Sequence, residues 1–245
     1  MPPVLPEGKR VYAIGDIHGR IDLFDGIISL IESDDATRGE ADTTIVLLGD
    51  LIDRGLNSAA VIARAREWSK RRSVEFIMGN HEEMLLASRS SLDALSGFLK
   101  FGGVETIQSY GVSSDAVNCA DLLEAQSMMN GAIPEDDFSF IETFKPAIMI
   151  GDYLFVHAGI RPNVPIAQQS ELDCRWIREP FLSYEGDFGA CVIHGHTITR
   201  EPDVRANRIG IDTGGYMFGT LTALGLEGEN RWFLQSSDAE AIAAE

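Results

Sequence analysis

Short apolar runs alternate along the chain with segments in which apolar residues recur every three or four positions. Residues 10–15 (RVYAIG) form a run of β type, after which Ile21, Phe24, Ile27, Ile28 and Ile31 recur at helical spacing. Residues 43–48 (TTIVLL) are continuously apolar, as suits a strand buried on both faces, and Val61, Ile62, Ala65 and Trp68 then share one helical face. Lys70, Arg71 and Arg72 follow, where cations complement a helix C-terminus. Residues 74–78 repeat the strand signal and lead into another helical pattern. This βαβαβ opening predicts parallel strands joined by right-handed crossovers.

From about residue 85 to 145 the pattern becomes mainly helical and polar, broken at Gly102-Gly103, Gly111 and Pro134, as expected of an inserted helical cap. Strands return at 147–150 and 153–156, flanking a Gly151-Asp152 hairpin turn, and again at 190–193, 208–211, 221–226 and 231–234. The β-rich second half predicts a second sheet packed on the first. The fold class expected is α/β, with two mixed sheets forming a sandwich flanked by helices. The alanine-rich, acidic C-terminal tail is expected to fray.

With 245 residues and 44% hydrophobic content, one domain spanning 1–245 is expected. No apolar run is long enough to span a bilayer, and the opening MPPVLPEGKR lacks the core of a signal peptide, so a soluble, cytoplasmic protein is expected. The net charge of −18 argues against nucleic acid as a partner, although bound metals and a few arginines can reverse the field locally. Cys119, Cys174 and Cys191 are widely spaced and form no CxxC pair, which predicts reduced, mainly packing residues. They make no Cys-x5-Arg arrangement either, which excludes a cysteine-dependent phosphatase.

The candidate chemistry lies in five short segments: Gly15-Asp16-Ile17-His18-Gly19, Gly49-Asp50-Leu51-Ile52-Asp53-Arg54-Gly55, Gly79-Asn80-His81-Glu82, His157-Ala158-Gly159 and His194-Gly195-His196-Thr197. All five histidines of the chain fall inside them. Loops at the carboxyl ends of strands in an α/β sheet converge on one crevice, so these side chains are expected to meet. Glycine beside Asp16, Asp50 and Asn80 permits the sharp turns that a compact cluster needs. Taken singly, an aspartate at a strand end is more often a helix N-cap, and His157 on an apolar strand more often a core histidine. The ordered set points instead to metal. Its carboxylate, amide and imidazole donors suit two divalent cations, Mn2+ first and Fe or Zn next, with a carboxylate bridge for which Asp50 is the candidate.

From Gly15 to about Gly214 the chain resembles the phosphoprotein phosphatases among the calcineurin-like metallophosphoesterases, nearest the small bacterial and phage serine/threonine phosphatases. The resemblance implies Asp16 and His18 at the first metal, Asp50 as bridge, and Asn80, His157 and His196 at the second. His194 precedes the family's ligand position and receives no ligand role. Phosphodiesterase relatives end in Gly-His-x-His, whereas Gly195-His196-Thr197-Ile198 has no second histidine to complete the first site. Arg54 and Arg178, the latter in Trp176-Ile177-Arg178-Glu179, are implied as phosphate clamps, with Arg175 as the near alternative. His81 is implied as general acid, oriented by Asp53, unless Asp53 caps the helix starting near Asn57.

These parts imply hydrolysis of phosphate monoesters by water acidified between two cations, with no covalent phosphoenzyme. Phosphoserine and phosphothreonine proteins, or small phosphoesters, are the expected substrates. His157-Ala158-Gly159-Ile160 also resembles the symmetrical dinucleoside tetraphosphatases, although that branch commonly lacks an acid matching Asp53 and has Asp where Glu82 stands. A non-catalytic scaffold binding a phosphorylated partner would usually have lost a ligand, and none is missing.

Overall fold

Alternation within each strand decides how the layers stack. In β1 (Lys9–Ile14), Tyr12 and Ile14 enter one apolar core while Val11 and Ala13 enter another, so the run is apolar throughout. The same division holds in β2 (Asp42–Leu47), where Ile45 and Leu47 face away from Val46. The computed structural model describes residues 2–238, and the frayed tail expected from the sequence lies outside the described residues.

After β1, α1 (Ile21–Thr37) leads to β2, α2 (Ser58–Ser69) to β3 (Ser73–Phe76), and the three strands pair in parallel as predicted. Six α-helices follow: α3 (Asn80–Ser88), α4 (Leu92–Phe98), α5 (Val104–Ser109), α6 (Ser114–Cys119), α7 (Leu122–Ala132) and α8 (Glu135–Ile141), with a π-helical turn over Leu99–Gly103. Then come the hairpin β4 (Ala147–Ile150) and β5 (Tyr153–Val156), α9 (Glu171–Trp176), β6 (Cys191–His194), β7 (Asp203–Val204) and β8 (Arg208–Gly210). The described chain closes with α10 (Gly215–Phe218), β9 (Thr220–Glu227) and β10 (Asn230–Ser237). The sheet orders are β10-β9-β1-β2-β3 and β4-β5-β6-β8-β7, and both sheets are mixed. Val11, Val46, Phe155, Ile193, Ile209 and Leu224 fill the space between them. The two-residue β7 carries no apolar run and was not expected from the sequence.

The helix expected after the third strand is α3, and the inserted helices that follow it are less polar in packing than their composition suggests. Leu95, Phe98, Ile107, Met129, Phe138 and Ile141 join the core that α1 and α2 form on the outer face of the first sheet. No helix among the described residues is long and apolar enough to cross a membrane. Cys174 and Cys191 are buried, whereas Cys119 is exposed.

Arg72 does more than complement a helix end. Its guanidinium reaches Glu32 at 2.5 Å and Asp35 at 2.6 Å, tying the end of α2 to α1. Asp35 also accepts from buried Arg10 at 2.8 Å and from Thr43 at 2.7 Å. Burial opposes ionisation of Asp35, but the hydrogen bonds from Arg10, Thr43 and Arg72 outweigh it and hold the carboxyl below its ordinary value. Stability from this carboxylate is therefore present above its unfolded pKa of about 3.9 and lost as pH falls through the depressed folded value. Asp35→Asn should cost about 2–4 kcal/mol at pH 7, and the gap to the parent protein should close below about pH 4, as read by urea unfolding at pH 7 and pH 3.

Candidate active site

The carboxyl ends of the parallel strands in both sheets open onto one place. Asp16 and His18 follow β1, Asp50, Asp53 and Arg54 follow β2, and Asn80 and His81 open α3 just beyond β3, while His157 and His196 follow β5 and β6. Asp16, His18, Asp50, Asp53, Asn80, His81, His157 and His196 are all buried. Two groups of ligand atoms, His18–Asp50–His81 and Asp50–His157–His196, each lie within 4.8 Å of one another. Asp50 is common to both. Asp16 belongs to neither, and both of its oxygens accept from the His196 amide, at 3.2 and 3.0 Å. His81, expected to act as an acid and not a ligand, is in the first group.

The imidazoles are oriented from behind. His18 Nδ1 donates to the Ile52 carbonyl at 2.8 Å, and His157 Nδ1 donates to the Leu48 carbonyl at 2.8 Å. A carbonyl can only accept, so each ring carries a proton on Nδ1 and turns Nε2 inward. His157 Nε2 then lies 2.9 Å from Asn80 Oδ1 and 3.4 Å from Asp50 Oδ2. His196 Nε2 is buried with no hydrogen-bond partner among the described residues. Nitrogen and oxygen lone pairs aimed at one another fit a divalent cation of borderline softness.

Burial lowers the His157 pKa, but Asp50, with the Leu48 carbonyl and Glu82, raises it further, so His157 and Asp50 form a buried ion pair that a cation would replace. Burial, reinforced by the neighbouring His157, pushes His196 down to about 3, and burial keeps His18 well below its ordinary value. Burial alone would raise Asp50, yet the imidazoles of His157, His81 and His18 hold it well below the usual carboxylate range. Asp16 goes the other way, raised by burial and then by Asp212 and Asp50, and burial pushes Asp212 up to about 6. Two buried carboxyls this close retain a proton unless a cation replaces it.

His81 Nδ1 meets Asp53 Oδ2 at 2.6 Å, and Thr106 of α5 donates to the other Asp53 oxygen at 2.5 Å. Asp53 is therefore not the N-cap of α2, a position occupied by Asn57. Burial lowers the His81 pKa, but Asp50 and Asp53 raise it further than burial depresses it. Arg54 donates to His18 Nε2 at 3.0 Å and to His81 Nε2 at 3.1 Å. Its guanidinium carbon lies 4.5 Å from the centre of the Tyr216 ring. Arg175 is engaged by Glu83 at 2.6 Å and Glu171 at 2.5 Å, whereas the one side-chain hydrogen bond of Arg178 among the described residues goes to the His196 carbonyl, at 3.4 Å. His194 lies in neither ligand group, packing on Phe181 with its Nε2 3.2 Å from Arg208.

The backbone is strained where these side chains gather. His18, Asp50, Asp53, Arg54 and His196 all have left-handed φ, between 46° and 73°, and Asn163 is the one other non-glycine residue among those described to do so. A Cβ on Gly79 would sit 2.2 Å from Asp50 Oδ1, and one on Gly195 would sit 2.0 Å from Asp16 Oδ1. Glu82 closes the second loop from below, accepting from the amides of Asp50 at 2.8 Å, Leu51 at 2.7 Å and Gly79 at 3.1 Å.

Sequence reasoning passed over Asp212, Thr106 and Tyr216, and it took Glu82 as a marker of branch instead of a clasp on the loop. Asp212 had a readable signal, since it is an acid just after the strand signal of 208–211 with glycines at 210 and 214, as Asp16 and Asp50 are acids just after strands with glycine beside them. Thr106 and Tyr216 had none, because their importance is a matter of contact.

Comparison with known proteins gives the site its context. The chain is 26% identical over 228 residues to an asymmetrical bis(5'-nucleosyl)-tetraphosphatase of Bacillus velezensis, covering 82% of each chain. It is 30% identical over 162 residues to a symmetrical bis(5'-nucleosyl)-tetraphosphatase of Chromobacterium violaceum, covering 66% of this chain and about half (47%) of that relative. Two solved structures share the fold. One, provisionally named a diadenosine tetraphosphatase, has a TM-score of 0.65 at 19% identity over 98% of this chain and 100% of its own. The other, a cold-active protein tyrosine phosphatase, has a TM-score of 0.62 at 17% identity over 96% of this chain and 81% of its own. The family model described as calcineurin-like phosphoesterase matches residues 9–224, and with that span covering every candidate ligand and all strands but β10 and the end of β9, the chain belongs to the calcineurin-like phosphoesterase family.

Proposed function

We propose that this protein hydrolyses phosphoesters and phosphoanhydrides at a pair of divalent cations, and that dinucleoside polyphosphates are its substrate class. The observation that carries the catalytic reading is the convergence of buried ligand atoms of Asp50, His157 and His196 within 4.8 Å of one another, with Asn80 Oδ1 2.9 Å from His157 Nε2. The substrate class is supported by relatives named as tetraphosphatases, one of them matched over 82% of both chains.

In this reading Asp16 and His18 would hold one cation, Asn80, His157 and His196 the other, and Asp50 both. Mn2+ is the favoured ion, with Fe and Zn compatible with the same donors. Bound there, the cations would acidify a water and neutralise phosphoryl charge. Arg54 and Arg178 would fork onto the phosphoryl oxygens. A cation held by His18 would displace Arg54 from His18 Nε2, and a phosphoryl group, a stronger acceptor than an imidazole nitrogen, would draw it away from His81 as well. That release frees His81 Nε2 to carry a proton toward the leaving oxygen while Asp53 holds Nδ1.

One observation favours a second reading, a phosphoserine or phosphothreonine protein phosphatase. The 2.6 Å Asp53–His81 contact builds an acid that an alkoxide leaving group needs and a nucleotide leaving group scarcely requires. Glu82, the other residue that distinguished the branches by sequence, carries less weight, because it is fully buried and accepts from backbone amides.

With Mn2+, kcat/KM for diadenosine tetraphosphate should exceed that for a phosphoserine peptide and for p-nitrophenyl phosphate by about tenfold or more, and a phosphopeptide that leads the panel overturns the substrate class. Asp50→Asn should abolish turnover and lower the bound metal below two ions per chain, measured by elemental analysis. His81→Asn should keep both ions but lose about 10²–10⁴-fold in kcat, most with poor leaving groups. Loss of metal in that variant instead makes His81 a ligand.

A further inference from the structure

A cavity of about 590 Å³ opens beside Arg54, outside the ligand cluster. It lies between the π-helical turn Leu99–Gly103 and α10, and Lys100, Phe101, Glu105, Asn118 and Tyr216 line it together with Arg54. Arg54 joins the two spaces, since the guanidinium that borders the cavity also reaches His18 and His81. A ligand in the cavity is therefore one side chain away from the reacting centre.

The turn is fixed in register on Arg54. Gly102 has φ +110°, accepts the Arg54 amide at 3.3 Å, and leaves so little room that a Cβ would come within 2.5 Å of that nitrogen. Phe101 departs from helical geometry at φ −101° and ψ 15°, and it remains 55% exposed beside this anchored glycine. An irregular π turn that costs backbone strain and displays a phenylalanine to solvent is what function retains and stability alone does not. Tyr216 supplies a second ring at the wall. Most cations of this acidic chain are ion-paired, yet neither Lys100 nor Arg54 has a carboxylate partner among the described residues.

We propose that this cavity binds the nucleoside end of a nucleotide substrate, with the base against Phe101 and Tyr216 and the phosphate chain led past Lys100 and Arg54 to the ligand cluster. Aromatic faces hold any base by stacking, and a cation beside them takes the phosphate charge. Asn118 and Glu105 offer an amide and a carboxylate to the base edge. The inference rests on the nucleotide reading of the site.

The test uses Phe101→Ala and Lys100→Ala, both at exposed side chains outside the ligand cluster, assayed with Mn2+ on diadenosine tetraphosphate and p-nitrophenyl phosphate. KM for the dinucleotide should rise about tenfold in Phe101→Ala, with p-nitrophenyl phosphate turnover unchanged. Competitive inhibition of p-nitrophenyl phosphate turnover by ADP should weaken in parallel. If the parent enzyme ignores the dinucleotide but Phe101→Ala still weakens ADP inhibition, the substrate assignment fails while the nucleoside cavity is upheld. Unchanged dinucleotide KM and ADP inhibition in both variants overturn the cavity, as does an equal loss on both substrates. A phosphopeptide whose KM rises in Phe101→Ala as much as the dinucleotide's overturns the nucleoside in favour of a peptide.

Discussion

Buried nitrogen and oxygen ligand atoms crowded around Asp50 are the constraint on which the site depends. His157 Nε2, Asn80 Oδ1 and Asp50 Oδ2 converge, and His196 Nε2 has no partner among the described residues. A buried polar group left unsatisfied costs about 1–3 kcal/mol. The carbonyls of Leu48 and Ile52 hold the His157 and His18 rings from behind, so Nε2 of each stays turned inward. Cations are what such an arrangement accommodates, and the rest of the fold keeps the donors from drifting apart.

The means of holding them are strain, close backbone approach and a buried acid. Five of the donors and their neighbours sit in left-handed backbone conformations, and glycines at 79 and 195 let the chain pass within reach of Asp50 and Asp16. Glu82 clasps three amides of two loops and is pushed up to about 7, chiefly by its burial. These features are stable only because both sheets bury apolar side chains on both faces behind them. Packing thereby offsets the local cost of arranging the site.

The inserted helices take part in this support and are not a detached lid. Thr106 of α5 fixes the Asp53 carboxylate, and Gly102 of the π turn receives the Arg54 amide, so both residues that flank His81 are positioned from the insertion. Exposed side chains of the insertion such as Phe101 and Lys100 lie outside both groups of candidate ligands.

Much of this was legible from residue order. Apolar runs located nine of the ten strands, because strand burial is written locally in periodicity, and the one missed, Asp203–Val204, is too short to carry a pattern. All five histidines and the acids after β1 and β2 were visible as a set, because a strand end with glycine and a ligating side chain is a local signature. The contacts between distant segments were not. Asp16 turned toward the His196 amide 180 residues away, Arg72 pairing with α1, Asp212 beside Asp16, and the apolar docking of the inserted helices each require the packed sheets to bring the partners together. The sequence by itself determined which side chains lie at strand ends and which faces are buried. Only the tertiary structure decided which of them touch, because contact between remote segments is set by how the layers close and not by any local preference of the chain.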